Sequence, residues 1–119
     1  MADPLATFMK ILKVELEDLL EDIGMVERRA AERLGREEIT EYVFKENDNL
    51  FRLEAESVRG IINSIDGIDV ARYKNANDLA EDLDTRIREL VKDREDPEAV
   101  YRFFVRKLNK VRRYVDIGE

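Results

Sequence analysis

Residues 4–34, PLATFMKILKVELEDLLEDIGMVERRAAERL, carry apolar side chains spaced alternately four and three residues apart. The repeat consists of Leu5, Met9, Leu12, Leu16, Leu19, Ile23, Val26 and Ala30. This heptad spacing predicts a long amphipathic helix that buries one edge against other helices. Asp3 and Pro4 are typical of a helix start, and Gly35 is suited to a helix end.

The same period predicts a second helix over residues 37–64, with an apolar stripe that includes Val43, Leu50 and Ile61. The segment KENDN at 45–49 is a candidate break, because Asp and Asn side chains compete for backbone hydrogen bonds. Residues 64–69, SIDGID, are predicted to form a turn, in which Gly67 supplies the permissive backbone.

A third helix is predicted to end near Lys92, and two starts are compatible with the sequence. Asp69 would cap a longer helix, whereas Asn75 or Asn77 would cap a shorter one. We favour the longer helix, because it covers more of the first two.

A fourth helix is predicted over residues 97–115, capped by Asp96 and opened by Pro97. No strand pattern is present in the sequence. We therefore predict one all-α domain over residues 1–119, an up-down antiparallel four-helix bundle with two long and two shorter helices.

The composition excludes several chemistries. The 119 residues include neither cysteine nor histidine, which removes thiolate nucleophiles, histidine general bases and the usual zinc ligands. The formal net charge of −7 argues against nonspecific nucleic-acid binding. No apolar run is long enough to span a membrane, and the N-terminal residues lack a signal-peptide pattern. We expect a cytoplasmic protein.

Two acidic segments raise the question of a metal site. Glu37, Glu38 and Glu41 form Glu-Glu-x-x-Glu, and Glu81 and Asp84 form Glu-x-x-Asp. Together they resemble the magnesium-binding signature of the all-α nucleoside triphosphate pyrophosphatases, the MazG-like group. The resemblance implies two facing helices whose carboxylates hold Mg²⁺, and a Mg²⁺-dependent hydrolase.

Helical spacing favours a different interpretation of the same carboxylates. At about 100° per residue, the first three lie opposite the apolar stripe of the second helix, in what we predict to be its first turn. Glu81 and Asp84 lie outside or at the margin of the third stripe. We therefore expect solvated carboxylates and no metal or cofactor, with Mg²⁺ bound only if the pyrophosphatase interpretation holds.

Two polar residues, Asn47 and Glu54, lie on the apolar stripe of the second helix. Buried polar residues commonly determine helix register, and antiparallel register places Glu54 near Lys107 and Lys110. A small polar pocket is the alternative.

The fourth helix is basic and the first carries an acidic cluster at residues 15–22. Mutual neutralisation between adjacent helices is the favoured interpretation. The alternatives are complementary contact between subunits, or a basic face for an acidic partner. The partner-binding candidates on the fourth helix are Arg102, Phe103, Arg106, Arg113 and Tyr114.

The first two helices are longer than the fourth, so the seam between Val26 and Val43 would lack a cover within one chain. Val14 and Met25 add apolar side chains on the outer face of the first helix. We therefore predict a homo-oligomer, most simply a dimer, and a non-enzymatic role as a protein–protein interaction or assembly module.

Overall fold

A computed structural model describes the backbone of residues 3–118 and the side chains of residues 3–115. Within this range the chain forms four α-helices and one short 3-10 turn, and no strand. The helices are α1 (Pro4–Gly35), α2 (Glu41–Asp66), α3 (Ala76–Asp93) and α4 (Glu98–Gly118), with the 3-10 turn at Val70–Arg72. The predicted all-α four-helix fold is confirmed.

The start of α1 is as predicted, but the start of α2 is not. Asp3 Oδ1 accepts a hydrogen bond from the backbone N–H of Leu5 at 3.0 Å. The predicted start of α2 at Glu37 is wrong, because Glu37 has a φ of 61°, outside the helical region. Thr40 instead caps α2, and its Oγ1 accepts from Val43 N at 3.2 Å. Glu37 and Glu38 therefore lie in the connection, not in a first helical turn.

The candidate break at 45–49 does not occur, and α2 is continuous from Glu41 to Asp66. Asp48 forms an ion pair with Arg52 one turn later, with 3.0 Å between Oδ2 and Nε. The Asp48 side chain therefore binds a residue one turn later in the same helix, and this contact favours a continuous helix over a break.

The longer version of the third helix, which we favoured, is wrong. Asp69 caps the 3-10 turn by accepting from Ala71 N at 3.0 Å. Asn75 is extended, with φ −158° and ψ 177°, and its Oδ1 accepts from Asp78 N at 2.9 Å. Two side-chain caps six residues apart thus interrupt the helix, since each stabilises a new helix start.

The fourth helix begins at Glu98, one residue later than predicted. The side chain of Asp96, the expected cap, accepts a hydrogen bond from Ser57 Oγ to its Oδ2 at 2.8 Å. Arg94 also lies against α2, and a Cβ added at Gly60 would come within 2.2 Å of the Arg94 Nη1 atom. The α3–α4 connection is therefore docked on α2 at Ser57 and Gly60.

The bundle measures 54 × 30 × 19 Å. α1 packs most extensively on α2 and next on α4, α3 packs mainly on α4, and α2 barely contacts α3. The fully buried large side chains at the centre are Phe8, Leu12, Leu16, Val58, Ile61, Ile65, Leu79, Leu83, Ile87, Val100, Phe104 and Leu108. Among the described helices, none combines the length and apolar character needed to cross a membrane.

Two helices end in the same hydrogen-bonded motif with a glutamate at its left-handed position. After α1, Glu38 N donates to Arg33 O at 2.9 Å and Glu37 N to Leu34 O at 3.0 Å. After α3, the N–H groups of residues 96 and 95 donate to the carbonyls of residues 91 and 92 at 3.0 and 3.1 Å. Both are Schellman motifs, in which glycine is the usual left-handed residue. Here Glu37 and Glu95 take that conformation, with φ values of 61° and 55°.

Replacing Glu95 by glycine is expected to raise the free energy of unfolding by about 1 kcal/mol, because glycine removes the Cβ strain of the left-handed conformation. Urea denaturation of wild type and Glu95→Gly measures the change. Glu95→Ala is the matched control, since it removes the same carboxylate but keeps the Cβ. Equal stabilisation by both substitutions would show that charge, not backbone strain, is responsible.

Candidate interaction surface

Side-chain contacts show which part of the structure lies on each of two sides of α2. Asp66 pairs with Lys13 of α1 at 3.0 Å, which marks the side that faces α1. Ser57 binds Asp96, which marks the side that faces the α3–α4 connection. Helical periodicity places Phe44 and Phe51 on the side of α1, where both are half-buried.

The stripe of α2 that faces the bundle interior loses its cover toward the N-terminal end of the helix. Ile61 and Ile65 are buried in the core, whereas Val43 and Leu50 on the same stripe are 41% and 44% exposed. The α3–α4 connection contacts α2 at Ser57 and Gly60, so the cover of α2 ends near Ser57. Residues 41–53 then extend about 20 Å beyond it, at 1.5 Å per residue.

The corresponding part of α1 is uncovered in the same way. Val26, on the heptad seam, is 43% exposed, whereas Ile23 one turn earlier is buried. Leu53, one turn before Ser57, is 53% exposed beside the end of the α3–α4 connection. We call Val26, Val43, Leu50 and Leu53 the open hairpin face. Val26 and Val43, at the two ends of the predicted uncovered seam, are exposed, whereas Leu34 and Ile39 between them are half-buried. Val14 and Met25 are exposed as predicted.

Leu53 was not singled out from the sequence. It lies outside the apolar stripe of α2, so the spacing of the stripe does not select it. The exposure of Leu53 could have been predicted from its position, because a large apolar residue outside the stripe of an amphipathic helix points away from the core.

Of the two polar residues predicted on the stripe, only Glu54 is buried. Asn47 is exposed, so its predicted core position is wrong, because it lies ten residues before Ser57, where the α3–α4 connection contacts α2. Glu54 is 8% exposed and lies where the covered core ends. Burial raises the pKa of its carboxyl group, since desolvation penalises the charged form.

The expected approach of Glu54 to the lysines of α4 does not occur. Lys107 Nζ and Lys110 Nζ instead bind Glu15 of α1, at 3.1 and 2.8 Å from its carboxylate oxygens. The hydrogen bond from Lys110 leads the effects that lower the pKa of Glu15. The neutralisation predicted between the first and fourth helices is thus present at Glu15.

The structure does not bring the two acidic segments together. Glu37, Glu38 and Glu41 are exposed at the tip of the α1–α2 hairpin, and Glu38 pairs with Arg33 at 3.3 Å. The end of α3 lies at the level of Gly60, 19 residues along α2 from Glu41, which corresponds to about 28 Å. Glu81 and Asp84 lie farther from the tip, because α3 runs away from it toward its N-terminus.

Asp84 is engaged in a contact between α3 and α4 that the sequence did not reveal. The Tyr101 hydroxyl donates to Asp84 Oδ1, and Arg88 Nη2 donates to Asp84 Oδ2 at 3.0 Å. The Arg88 guanidinium lies 5.6 Å from the Tyr101 ring centroid. Burial first, and the hydrogen bond to Asp84 second, raise the pKa of Tyr101. Glu81 remains exposed, and residues 3–115 contain no group of three acidic side chains arranged to hold a metal ion.

The partner-binding candidates of α4 lie outside the core. Arg106, Arg113 and Tyr114 are exposed, and Phe103 is half-buried. Arg102 forms only a loose ion pair with Glu98, 3.7 Å away and also exposed. These side chains form a basic outer surface that is separate from the open hairpin face.

Comparison of the chain with protein-family models, with curated proteins and with solved structures returned no match.

Replacing Glu54 by glutamine or leucine is expected to raise the melting temperature at pH 7 by roughly 2–5 °C, because the buried charge is removed. The pKa of Glu54 is raised in the folded protein, so the folded state holds the proton more tightly than the unfolded state. Stability is therefore lost as pH rises from the unfolded pKa, about 4.3, through the folded pKa.

Thermal melts at pH 3.5 and pH 7 test this expectation. The gain from Glu54→Gln should vanish at the lower pH, where the carboxyl group is protonated in both states. The exposed neighbour Glu56 provides the matched control, Glu56→Gln, which should change little. A destabilised Glu54→Gln protein at pH 7 would mean that the carboxylate makes a stabilising contact.

Proposed function

We propose that this chain is a non-enzymatic protein–protein interaction or assembly module whose contact surface is the open hairpin face. One observation carries the proposal: the core stripes of α1 and α2 continue past the point where α3 and α4 stop covering them. Val26, Val43 and Leu50 are core-type side chains on this extension, each more than two-fifths exposed.

The energetic argument follows from the cost of leaving such side chains in water. Burying a valine or leucine side chain is favourable by about 1.5–3 kcal/mol relative to full exposure. An apolar surface on two packed helices is the kind of groove that binds amphipathic helices in other proteins. The half-buried Phe44 and Phe51 support the hairpin from the α1 side, so the surface is presented by a packed pair of helices.

The basic outer surface of α4 is less suited to be the main contact. Its apolar members are few, and the charge of the whole chain, −7, opposes acidic partners at long range. Nucleic-acid binding is disfavoured for the same reason. The cytoplasmic location and the lack of a cofactor stay predictions.

Photo-crosslinking from the open hairpin face tests the proposal. We expect a benzophenone amino acid in place of Leu50 to give one discrete protein adduct in living source cells, because that position would be covered by the partner. The same replacement at Val14, which is 54% exposed on the outer face of α1, is the matched control and should give no discrete adduct. Equal yields at both positions, or no adduct from Leu50, would contradict the proposal.

A Mg²⁺ titration followed by thermal melting distinguishes the module from the pyrophosphatase-like hydrolase. We expect no saturable stabilisation, because Glu41 and Glu81 lie at different levels of the bundle. Sodium chloride at matched ionic strength is the control for screening. A saturable rise in melting temperature that is lost in Glu41→Gln would favour the hydrolase.

A further inference from the structure

We propose that the groove between the first turns of α1 and the end of α2 binds a medium-chain fatty acid through its apolar chain and its carboxylate. The groove has a volume of about 300 Å³ and is lined by Ala6, Met9, Lys10, Lys13, Ile65, Asp66, Ile68 and Val70. It lies at the opposite end of α2 from the open hairpin face, so the inference does not depend on the proposed function.

One wall of the groove is a single face of α1. Its side chains at positions 6, 9, 10 and 13 follow the helical spacing of three, four and seven residues, so they lie side by side. Lys13 Nζ lies 3.0 Å from Asp66 Oδ1, which shows that this face of α1 lies opposite the end of α2. The fold therefore brings Met9 and Lys10 next to the residues that follow α2.

The opposite wall is formed by the last turn of α2 and the turn that follows it. Ile65 is buried, and Ile68 and Val70 are half-buried. The N–H of Ile68 donates to the carbonyl of Ile65 at 3.2 Å. Beyond Val70, the Tyr73 hydroxyl donates to Asp82 of α3 at 2.5 Å. Hydrogen bonds thus hold both ends of this wall, which lowers the entropy cost of ordering it around a ligand.

Most of the lining is apolar. Five of the eight lining residues have apolar side chains, and the two lysines add the methylene groups of their stems. Small-molecule sites in proteins have this composition, in which a few polar groups orient a ligand that binds mainly through apolar contacts. The volume of the groove is at the lower end of the range for such sites, so it suits a short chain of methylene groups.

The charge of the lining favours an anion, although the whole chain carries −7. Two lysines and one aspartate give the groove a net charge of +1. Asp66 is bound to Lys13, and this hydrogen bond is the main cause that raises the pKa of Lys13. Lys10 has no acidic residue three or four positions away on α1, and within residues 3–115 it forms no ion pair. The ammonium group of Lys10 is therefore placed to bind a carboxylate at the edge of the groove.

The two parts of the ligand contribute differently to binding. An ion pair at a solvent-exposed lysine adds little affinity. The apolar chain therefore supplies most of the binding, and Lys10 determines that the charged group is an anion. For a ligand of about ten non-hydrogen atoms, we expect a dissociation constant on the order of 0.1 to 1 mM.

Titration of the isotope-labelled chain with octanoate, followed by NMR spectra of the backbone amides, tests the inference. The range is about 0.05 to 10 mM, which brackets that dissociation constant and stays below micelle formation. We expect saturable shifts at Met9, Lys10, Ile68 and Val70. Octylammonium has the same chain and the opposite charge, so it is the matched ligand and should bind about fivefold more weakly.

Charge reversal of Lys10 tests the role of its ammonium group. We expect Lys10→Glu to weaken octanoate binding about fivefold, the scale of one exposed ion pair. Lys45→Glu is the matched control, because Lys45 is also an exposed helical lysine and its reversal changes the net charge equally. This control should bind octanoate as wild type does, and the spectrum of each free variant reports whether it is folded.

Octanoate that gives no saturable shifts would overturn the inference, as would shifts centred on Val43 and Leu50 of the open hairpin face. Equal octanoate affinity in Lys10→Glu and Lys45→Glu would also overturn it, as would octylammonium that binds as tightly as octanoate. The Leu50 crosslink tests the proposed function independently, so either proposal can fail while the other stands.

Discussion

The rest of the structure depends on the apolar stripe of α1. Phe8, Leu12 and Leu16 are fully buried, and α1 packs extensively on both α2 and α4. Because α2 and α3 barely touch, the second half of the chain is held to the first mainly through α1. The Glu15 contact with two lysines of α4 reinforces the same junction. A helix that packs on two neighbours needs a wide apolar stripe, and Phe8, which lies beside the heptad seam, widens the stripe of α1.

Much of the fold could be predicted from periodicity and capping residues. The start of α1 at Pro4 and the four-helix architecture both follow from local patterns that the tertiary structure does not oppose. The wrong predictions concern residues at which two local structures compete. The apolar period predicts a helical Glu37, but this residue takes a left-handed conformation and closes the motif after α1. Asp69 was expected to start a long helix, but Asn75 caps a second start six residues later.

The candidate surface was predictable in part. The length difference between the helices indicated an uncovered seam, and Val26 and Val43 are indeed exposed. Where the cover ends could not be predicted, because it is set by the contact of Ser57 with Asp96, 39 residues apart in sequence. Asn47 and Glu54 share one stripe, yet only Glu54 lies on the covered side of that boundary. Likewise, no spacing rule links Asp84 to Tyr101, whose contact depends on how α3 and α4 are rotated.

α1 is continuous through Gly24, so a single helix spans two different environments. Its first half is surrounded by other helices, whereas its last three turns have α2 as their main neighbour. Backbone amides along one uninterrupted helix should therefore exchange with solvent at very different rates, slowly near Leu12 and rapidly near Leu34. The hairpin end is thus the part of the molecule that can open and reclose while the central bundle stays folded.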